Sequence, residues 1–456
     1  MSSLAYSIRQ VKLLMESVLK IKLTLDEADA RVLDGQSKII NWLYNHLLEQ
    51  ANKLRTEYIA SQDKKLGLIL YSKRGLRNLI PEIKKSHPFL KSVHSSPLKN
   101  GALRLSESIM RFQKEKSKGK RGWPRFRSWR QRFFSLLYDE PNKGWKLDGR
   151  KLKLSLGADE NGKRLYIYGD LEKSPDSFVG REIRNLRVTK QGDQYFCIFT
   201  VRHPDVKKRN VNKIIALDPN HKNLVYGVGT DGQAVEIKNP YFLKTIDRRI
   251  DQLKSLRDRC KKRSQLIVYE SGKRAWRPSR RYQYFQCRIN KLLRIRRDQT
   301  KAFLYTVANW LYKHYDLVSV GDYTPKGGGI TKAMRRAMNN ESLIGRLKTV
   351  LMWVSIKSGK HYIEWNEKGS TRSCHFCGYA FKGGLLPDIR SWQCPECTKQ
   401  HYRDENAAIN GLIETYKTLK LPGSGHQFSK LEIAKESRWI ARYNSLGIRL
   451  TLSTGV

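Results

Sequence analysis

Residues 374–408 read CHFCGYAFKGGLLPDIRSWQCPECTKQHYRDENAA. Two CxxC pairs, Cys374/Cys377 and Cys394/Cys397, are separated by sixteen residues. Two such pairs bring four thiolates within tetrahedral reach of a single Zn²⁺ and fill every coordination position. A closed four-cysteine site is structural, because it leaves no opening for a substrate. With four thiols in hand, His375 and His401 are not required as ligands. Just beyond the second pair, Asp404 falls at the opening of a helix expected over about 402–416. Taken alone, an acid in a first helical turn is commonplace, since it complements the helix dipole.

Upstream of the cysteines, Ile214-Ile215-Ala216-Leu217 is a short apolar strand ending in Asp218. A hairpin follows, with Leu224 to Val228 as its second strand and a turn at Asp231-Gly232. Asp218 therefore sits at a strand's C-terminal end, where α/β sheets place their sites; alone it is equally an ordinary strand-end acid. Two basic helices come next: the first presents Leu243, Ile246, Ile250, Leu253 and Leu256 on one face, and the second runs from about 281 to 314. A strand (Leu317 to Val320), a glycine-rich loop (Lys326 to Gly329), a helix near 342–358 and a strand (His361 to Trp365) lead into the cysteines. The loop lacks a following Gly-Lys-Ser/Thr, so it is not a phosphate cradle. Strands alternating with helices from 211 onward predict an α/β domain, closed by the last helix and a C-terminal tail.

The first half has a different texture. Ile21 to Leu25 alternates as a strand, and a helix with Ile39, Leu43, Leu47, Ala51 and Leu54 on one face follows. Residues 111–133 hold ten Lys or Arg and one acid, with Trp123, Phe126 and Trp129 interleaved. Cations meet phosphates and aromatics stack on bases, so this segment reads as a nucleic-acid contact, with a solvated charged loop as the alternative. Between 145 and 202, short alternating runs separated by turns predict a small β-barrel or sheet.

Lys plus Arg number 89 and Asp plus Glu 42, a net charge of +47 over 456 residues. A compact fold carrying that excess calls for a polyanion, and nucleic acid is the natural one. Hydrophobic content of 39%, with 10 Trp and 22 Tyr, argues against a disordered basic tail. No apolar run is long enough to span a bilayer, and MSSLAYSIRQVKLL lacks the layout of a secretory signal. Seven cysteines, four of them clustered, point to metal ligation in a reducing compartment.

Leu217-Asp218-Pro219-Asn220, then the double CxxC, then Arg403-Asp404-Glu405-Asn406-Ala407-Ala408-Ile409-Asn410: in this order the segments resemble the RuvC-like core of TnpB proteins, the transposon-encoded ancestors of type V CRISPR effectors. Ser370 to Cys374 looks like that family's lead-in to its knuckle, and Trp123-Pro124-Arg125-Phe126 resembles its basic motif. The likeness is good over 211–416, moderate over 111–205, and one of layout in the N-terminal helical region. It implies an α/β multidomain chain: an RNase H-like (RuvC) nuclease core with an inserted four-cysteine zinc knuckle, plus an N-terminal β-rich wedge domain with a helical recognition insertion. The implied segments are wedge 1–30, helical recognition 31–120, wedge 121–210, nuclease core 211–370, zinc insertion 371–400, and final helix with tail 401–456.

One departure matters. TnpB carries its middle acid as a Glu ending a strand that reads roughly Ile-Val-Ile-Glu-Asp-Leu, whereas this chain has Val318-Ser319-Val320-Gly321-Asp322-Tyr323. Either the nuclease is dead or the acid comes from elsewhere. Eukaryotic Fanzor proteins and a related bacterial TnpB group have such a relocated Glu just before the knuckle, and Glu367 occupies that place here. On a neighbouring strand roughly 5 Å away, it still reaches the same ions. Glu364 and Asp322 are less favoured substitutes, and a solvated loop acid is the plain alternative for Glu367.

The resemblance thus implies Asp218, Glu367 and Asp404 as catalytic ligands of two Mg²⁺, Cys374, Cys377, Cys394 and Cys397 as ligands of one structural Zn²⁺, and a guide RNA with a double-stranded DNA target as partners. Trp123, Arg125, Phe126, Arg127, Arg130, Arg335, Arg336 and Arg346 are the candidate nucleic-acid contacts. The relocated Glu leans towards the shorter, viral and transposon-linked Fanzor group and hence towards the nucleus, with a bacterial cytoplasmic or nucleoid protein as the other setting. Competing functions are a guide-directed DNA binder that does not cut, and a guide-free transposition accessory.

Overall fold

The computed structural model describes residues 16–115, 122–128, 134–175, 182–203, 206–220, 223–270, 272, 274–322, 343–381, 385, 389–444 and 446–453. The chain divides into two compact units, Val11–Asp205 and a second built on Val206–Val456.

In the N-terminal unit, β1 (Glu16–Thr24) leads into four helices: α1 (Glu27–Ser61), α2 (Lys64–Tyr71), α3 (Ile80–Ser86) and α4 (Ser95–Glu115). Asp26 caps α1 by accepting from the Asp29 backbone N–H at 2.6 Å. The α1 face carrying Ile40, Leu43, Leu47, Leu48 and Ala51 is fully buried. Six strands follow: β2 (Ser135–Tyr138), β3 (Trp145–Asp148), β4 (Lys151–Ala158), β5 (Arg164–Leu171), β6 (Glu182–Gln191) and β7 (Gln194–Arg202). They form one antiparallel sheet in the order β2-β6-β7-β1-β5-β4-β3. The first strand of the chain therefore lies at its centre, running from Glu16↔Arg202 to Leu23↔Tyr195 along β7.

The C-terminal unit is built on a mixed sheet. Its strands are β8 (Ile214–Pro219), β9 (Val225–Gly229) and β10 (Ala234–Ile237), then, beyond a hairpin of β11 (Gln265–Val268) and β12 (Arg274–Arg277), β13 (Leu317–Gly321) and β14 (His361–Trp365). β8, β9 and β10 pair antiparallel, while β13 lies parallel to both β8 and β14. This is the RNase H-like arrangement. The knuckle adds a small hairpin of β15 (Ser391–Gln393) and β16 (Gln400–Tyr402).

The region read as a C-terminal tail is instead two strands, β17 (Arg438–Asn444) and β18 (Gly447–Leu452), which extend the main sheet beyond β10. Their alternating residues, Trp439, Ala441 and Tyr443, join the core, a period-two signal too short to separate from coil without its partner strand. The β11–β12 hairpin between the two basic helices was also not anticipated.

Helices cover both faces of the sheet. α5 (Phe242–Arg259), α6 (Arg280–His314) and α7 (Ile344–Ser358) share a core with Ile215, Leu217, Val318 and Val320. On the opposite face, α8 (Arg403–Leu419) packs Ala408, Ile409 and Leu412 against Tyr226, Val228, Ile214, Ala216 and Leu317. Burial on both faces is why β8 is apolar without alternation. Gly411 of α8 sits so close to Trp365 that a Cβ there would lie 2.5 Å from Trp365 Cζ2. We expect Gly411→Ala to destabilise the chain by about 1–3 kcal/mol through this overlap, visible as a lowered melting temperature.

Candidate active site

Asp218 is the penultimate residue of β8, and Gly321 ends β13 beside it: the last registered pair of those strands is Leu217↔Val320. On its other side Gly321 pairs with Trp365 of β14, after which the chain turns and Glu367 projects back. A Cβ built on Gly321 would lie 2.5 Å from Glu367 Oε2 and 3.0 Å from Pro219 Cδ. The Glu367 carboxyl thus occupies the space into which a side chain at 321 would grow. Asp404 arrives from the opposite face, in the first turn of α8, and is 3% exposed, as is Asp218.

Asp218 feels the other two acids. Burial raises the Asp218 carboxyl well above the usual carboxylate range, the charges of Glu367 and Asp404 raise it further, and Arg403 opposes them. Burial also raises Asp404, against Arg390, Arg403 and a hydrogen bond from Asn220. Asn220 Nδ2 donates to Asp404 Oδ2 at 2.8 Å, and Arg390 Nη1 lies 3.3 Å from each oxygen.

The other candidate acids are otherwise engaged. Glu364 is exposed, paired with Lys348 at 2.9 Å and accepting from Tyr362 Oη at 2.8 Å. Asp322 accepts the Glu367 backbone N–H at 3.1 Å, so it shapes the loop carrying Glu367. Glu405, next to Asp404, takes a bidentate pair from Arg438 (2.9 and 3.0 Å) and a hydrogen bond from Tyr226 Oη (2.9 Å), which ties α8 to β17 and β9. Sequence reading missed three groups here. Asn220 lies in the quoted LDPN stretch. Arg390 sits unmarked inside the knuckle. Glu236 raises Asp404 while paired to Lys238 at 2.7 Å.

The knuckle is fastened to α8. Asn406 Nδ2 donates to the Ser370 and Ser373 carbonyls at 3.2 and 2.8 Å, Asn410 Nδ2 to the same carbonyls at 2.8 and 2.7 Å, and Asn406 Oδ1 accepts the His375 N–H at 3.0 Å. Its four Sγ atoms lie within 4.8 Å of one another, with Cys374–Cys397 at 3.7 Å and Cys377–Cys394 at 3.6 Å. Zn–S bonds of about 2.3 Å make a tetrahedron with edges of about 3.8 Å, so the donor set fits zinc. His401 Nε2 lies 3.1 Å from Cys374 Sγ, packed between Trp392 and His375.

Oxygen-only acids suit a hard divalent cation. Among the described residues, no other group of three or more metal-binding side chains matches the spacing of the cysteines.

The candidate nucleic-acid residues fare unequally. Trp123 donates from Nε1 to Asn52 at 2.8 Å, with the Arg55 guanidinium 4.4 Å above its ring. Arg127 lies 3.7 Å over the Tyr44 ring and donates to Asn41 at 3.0 Å. Both clamp their segment onto α1. Arg125, Phe126 and Arg346 are exposed, and Arg130, Arg335 and Arg336 lie outside the described residues. A cavity of 1060 Å³ in the N-terminal unit is lined by Asn41, Trp42, Asn45, Arg127, Phe134 and Lys190, donors beside aromatic rings.

Residues 345–411, which include Glu367, the four cysteines and Asp404, match the family described as Cas12f1-like, TNB domain. The fold is similar to that of Cas12f1. A cryo-EM structure of a Cas12f1–sgRNA–target DNA complex superposes with a TM-score of 0.57 at 11% identity, over 84% of this chain and 82% of that one. CasPhi-2 (Cas12j) bound to crRNA aligns over 89% and 98% of the two chains at 11% identity, but its TM-score of 0.38 is too low to bear on the fold. No curated protein matches the chain in sequence. No helix among the described residues is long and apolar enough to cross a membrane.

Two outcomes follow. Purified chain should carry a single zinc ion, and Cys374→Ser should lose it together with thermal stability, as read by metal analysis and melting. Asp218 has a folded-state pKa above its unfolded value, so the folded chain binds the extra proton and stability falls as pH rises from about 4 through the raised value. Asp218→Asn removes that slope. Without added magnesium, its melting temperature should exceed the wild type's by a margin that widens as pH rises from about 4 through the raised value, and Mg²⁺ should narrow the gap by stabilising the wild type alone.

Proposed function

We propose that this chain is an RNA-guided DNA endonuclease of the TnpB and type V lineage, cutting double-stranded DNA beside a short adjacent motif. The observation that carries the reading is the Glu367 carboxyl filling the space beside Gly321, next to Asp218 and facing the helix that bears Asp404. In this reading the acid missing from β13 is supplied from just beyond the end of β14, which disfavours a nuclease-dead DNA binder. The Cas12f1-like fold, the matched TNB segment and the net charge of +47 support it.

Asp218, Glu367 and Asp404 would hold two Mg²⁺, which would supply stabilisation of the attacking and leaving oxygens of the phosphodiester. The chain's own part is to fix the three carboxylates on two strand ends and one helix, and to balance their charge with Arg403 and Arg390. Base pairing to a transposon-encoded guide RNA supplies sequence specificity, while the protein reads duplex shape and the adjacent motif. The N-terminal unit acts as wedge and recognition domain, and the knuckle is a structural zinc insertion. In this reading the relocated Glu favours the Fanzor group and a nuclear setting in a eukaryotic or viral host, with a bacterial TnpB of the relocated-Glu type as the alternative.

The test begins by sequencing RNA that co-purifies with the chain, then assays magnesium-dependent cutting of matched plasmid. Asp404→Ala and Glu367→Ala should each abolish cutting and leave guide and target binding within about twofold of wild type, since neither residue is a backbone contact. Gly321→Glu combined with Glu367→Ala should regain part of the lost cutting. Full activity of Glu367→Ala removes that residue from the site, and a preparation without a defined RNA supports a guide-free accessory.

A further inference from the structure

Resting on that reading, we infer that Asn220 is a positioning residue of the cleavage site, one whose amide is locked so that only its nitrogen faces Asp404. The lock comes from the turn joining β8 to β9. The Asn223 backbone N–H, which can only donate, meets Asn220 Oδ1 at 3.0 Å. An amide whose oxygen is committed to a donor must present its NH₂ on the other side. That side meets Asp404 Oδ2 at 2.8 Å. The Asn220 backbone N–H in turn donates to the Leu224 carbonyl at 3.2 Å, closing the hairpin.

Asn223 is held as firmly. Its Oδ1 accepts from Lys238 Nζ at 3.1 Å, its Nδ2 donates to Glu236, and Lys238 pairs with Glu236 at 2.7 Å. An ordered series therefore runs from Lys238 and Glu236 on and after β10, through Asn223 and Asn220, to the carboxylate on α8. It joins the strand bearing Asp218 to the helix bearing Asp404 by a direct side-chain bond. A carboxylate whose outer neighbour is fixed keeps one orientation, and loss of such a neighbour usually weakens metal affinity or activity by roughly 10–100-fold. The same bond lowers the Asp404 pKa against the rise from burial.

Asn220→Asp separates this role from a turn-forming one. The Asp side chain still accepts the Asn223 N–H, so the turn survives, but an oxygen now opposes Asp404 Oδ2. Zinc-loaded wild type, Asn220→Asp, Asn220→Ala and Asp404→Ala are titrated with Mn²⁺ by calorimetry, with guide binding, melting temperature and plasmid cutting measured in parallel. Asn220→Asp is expected to fold and bind guide like wild type, with a melting temperature lowered by the added repulsion at Asp404, yet to bind Mn²⁺ at least about tenfold more weakly and to need more Mg²⁺ for half-maximal cutting. Asn220→Ala, which removes the donor without adding charge, should weaken Mn²⁺ binding less. Wild-type affinity in Asn220→Asp with cutting intact, tighter Mn²⁺ binding through the added carboxylate, or a larger loss in Asn220→Ala than in Asn220→Asp each overturns the inference. A wild type that neither cuts nor binds Mn²⁺ more tightly than Asp404→Ala overturns the functional reading instead.

Discussion

Helix α8 lies low on the face of the sheet, close to the end of β14, because Gly411 presents no side chain to Trp365. That close approach sets the distance between the helix and the strand ends, and every functional group of the C-terminal unit is measured from it. Beside Gly411 and one turn earlier, Asn410 and Asn406 hold the Ser370 and Ser373 carbonyls, fixing the start of the knuckle. Immediately before Asn406, Glu405 grips Arg438 and Tyr226, while Asp404 turns to the site. The run Asp-Glu-Asn-Ala-Ala-Ile-Asn-Gly thus assigns neighbouring residues to different partners through helical geometry. Ala407 and Ala408, fully buried, let the helix sit low on the sheet.

Gathering three carboxylates in a buried place opposes folding, and the surroundings show how the cost is contained. Arg403 sits within electrostatic reach of both Asp218 and Asp404, and Arg390 reaches Asp404 from the knuckle. Glu236, a fourth acid nearby, is matched by Lys238. The compensation is partial, since Asp218 and Asp404 are still held above their ordinary range. A cluster of acids kept under such repulsion is poised to take up cations, which relieve it more fully than any single arginine. The knuckle thus has two structural duties: its thiolates hold its own fold, and its Arg390 touches the acid next door.

Much of this was legible before any coordinates. The cysteine spacing specified a four-thiolate site, and the apolar run ending in Asp218 located a buried strand with an acid at its end. The β-rich region announced itself through alternation, though not that β1, the first strand among the described residues, would be its central member. Strand pairing across nearly two hundred residues leaves no local trace. The same holds for β17 and β18, whose short alternating runs become strands only beside β10. Trp123 and Arg127, chosen as nucleic-acid contacts from their setting in a basic segment, are engaged with Asn52, Arg55, Tyr44 and Asn41. Composition cannot separate a cation bound for phosphate from one that packs on a neighbouring ring.

Sequence by itself determined which residue types were available and in what order: the thiol pairs, the acids at a strand end and a helix start, and the glycine where an acid was expected. Tertiary structure alone decided that Glu367 fills the gap beside Gly321, because that depends on β14 lying next to β13 and on the turn after Trp365. It likewise decided that Asn220 faces Asp404 with its nitrogen, since a hydrogen bond between residues 184 positions apart is set by where the helix docks. Local periodicity encodes an element; the meeting of elements is encoded only in the packing of the whole.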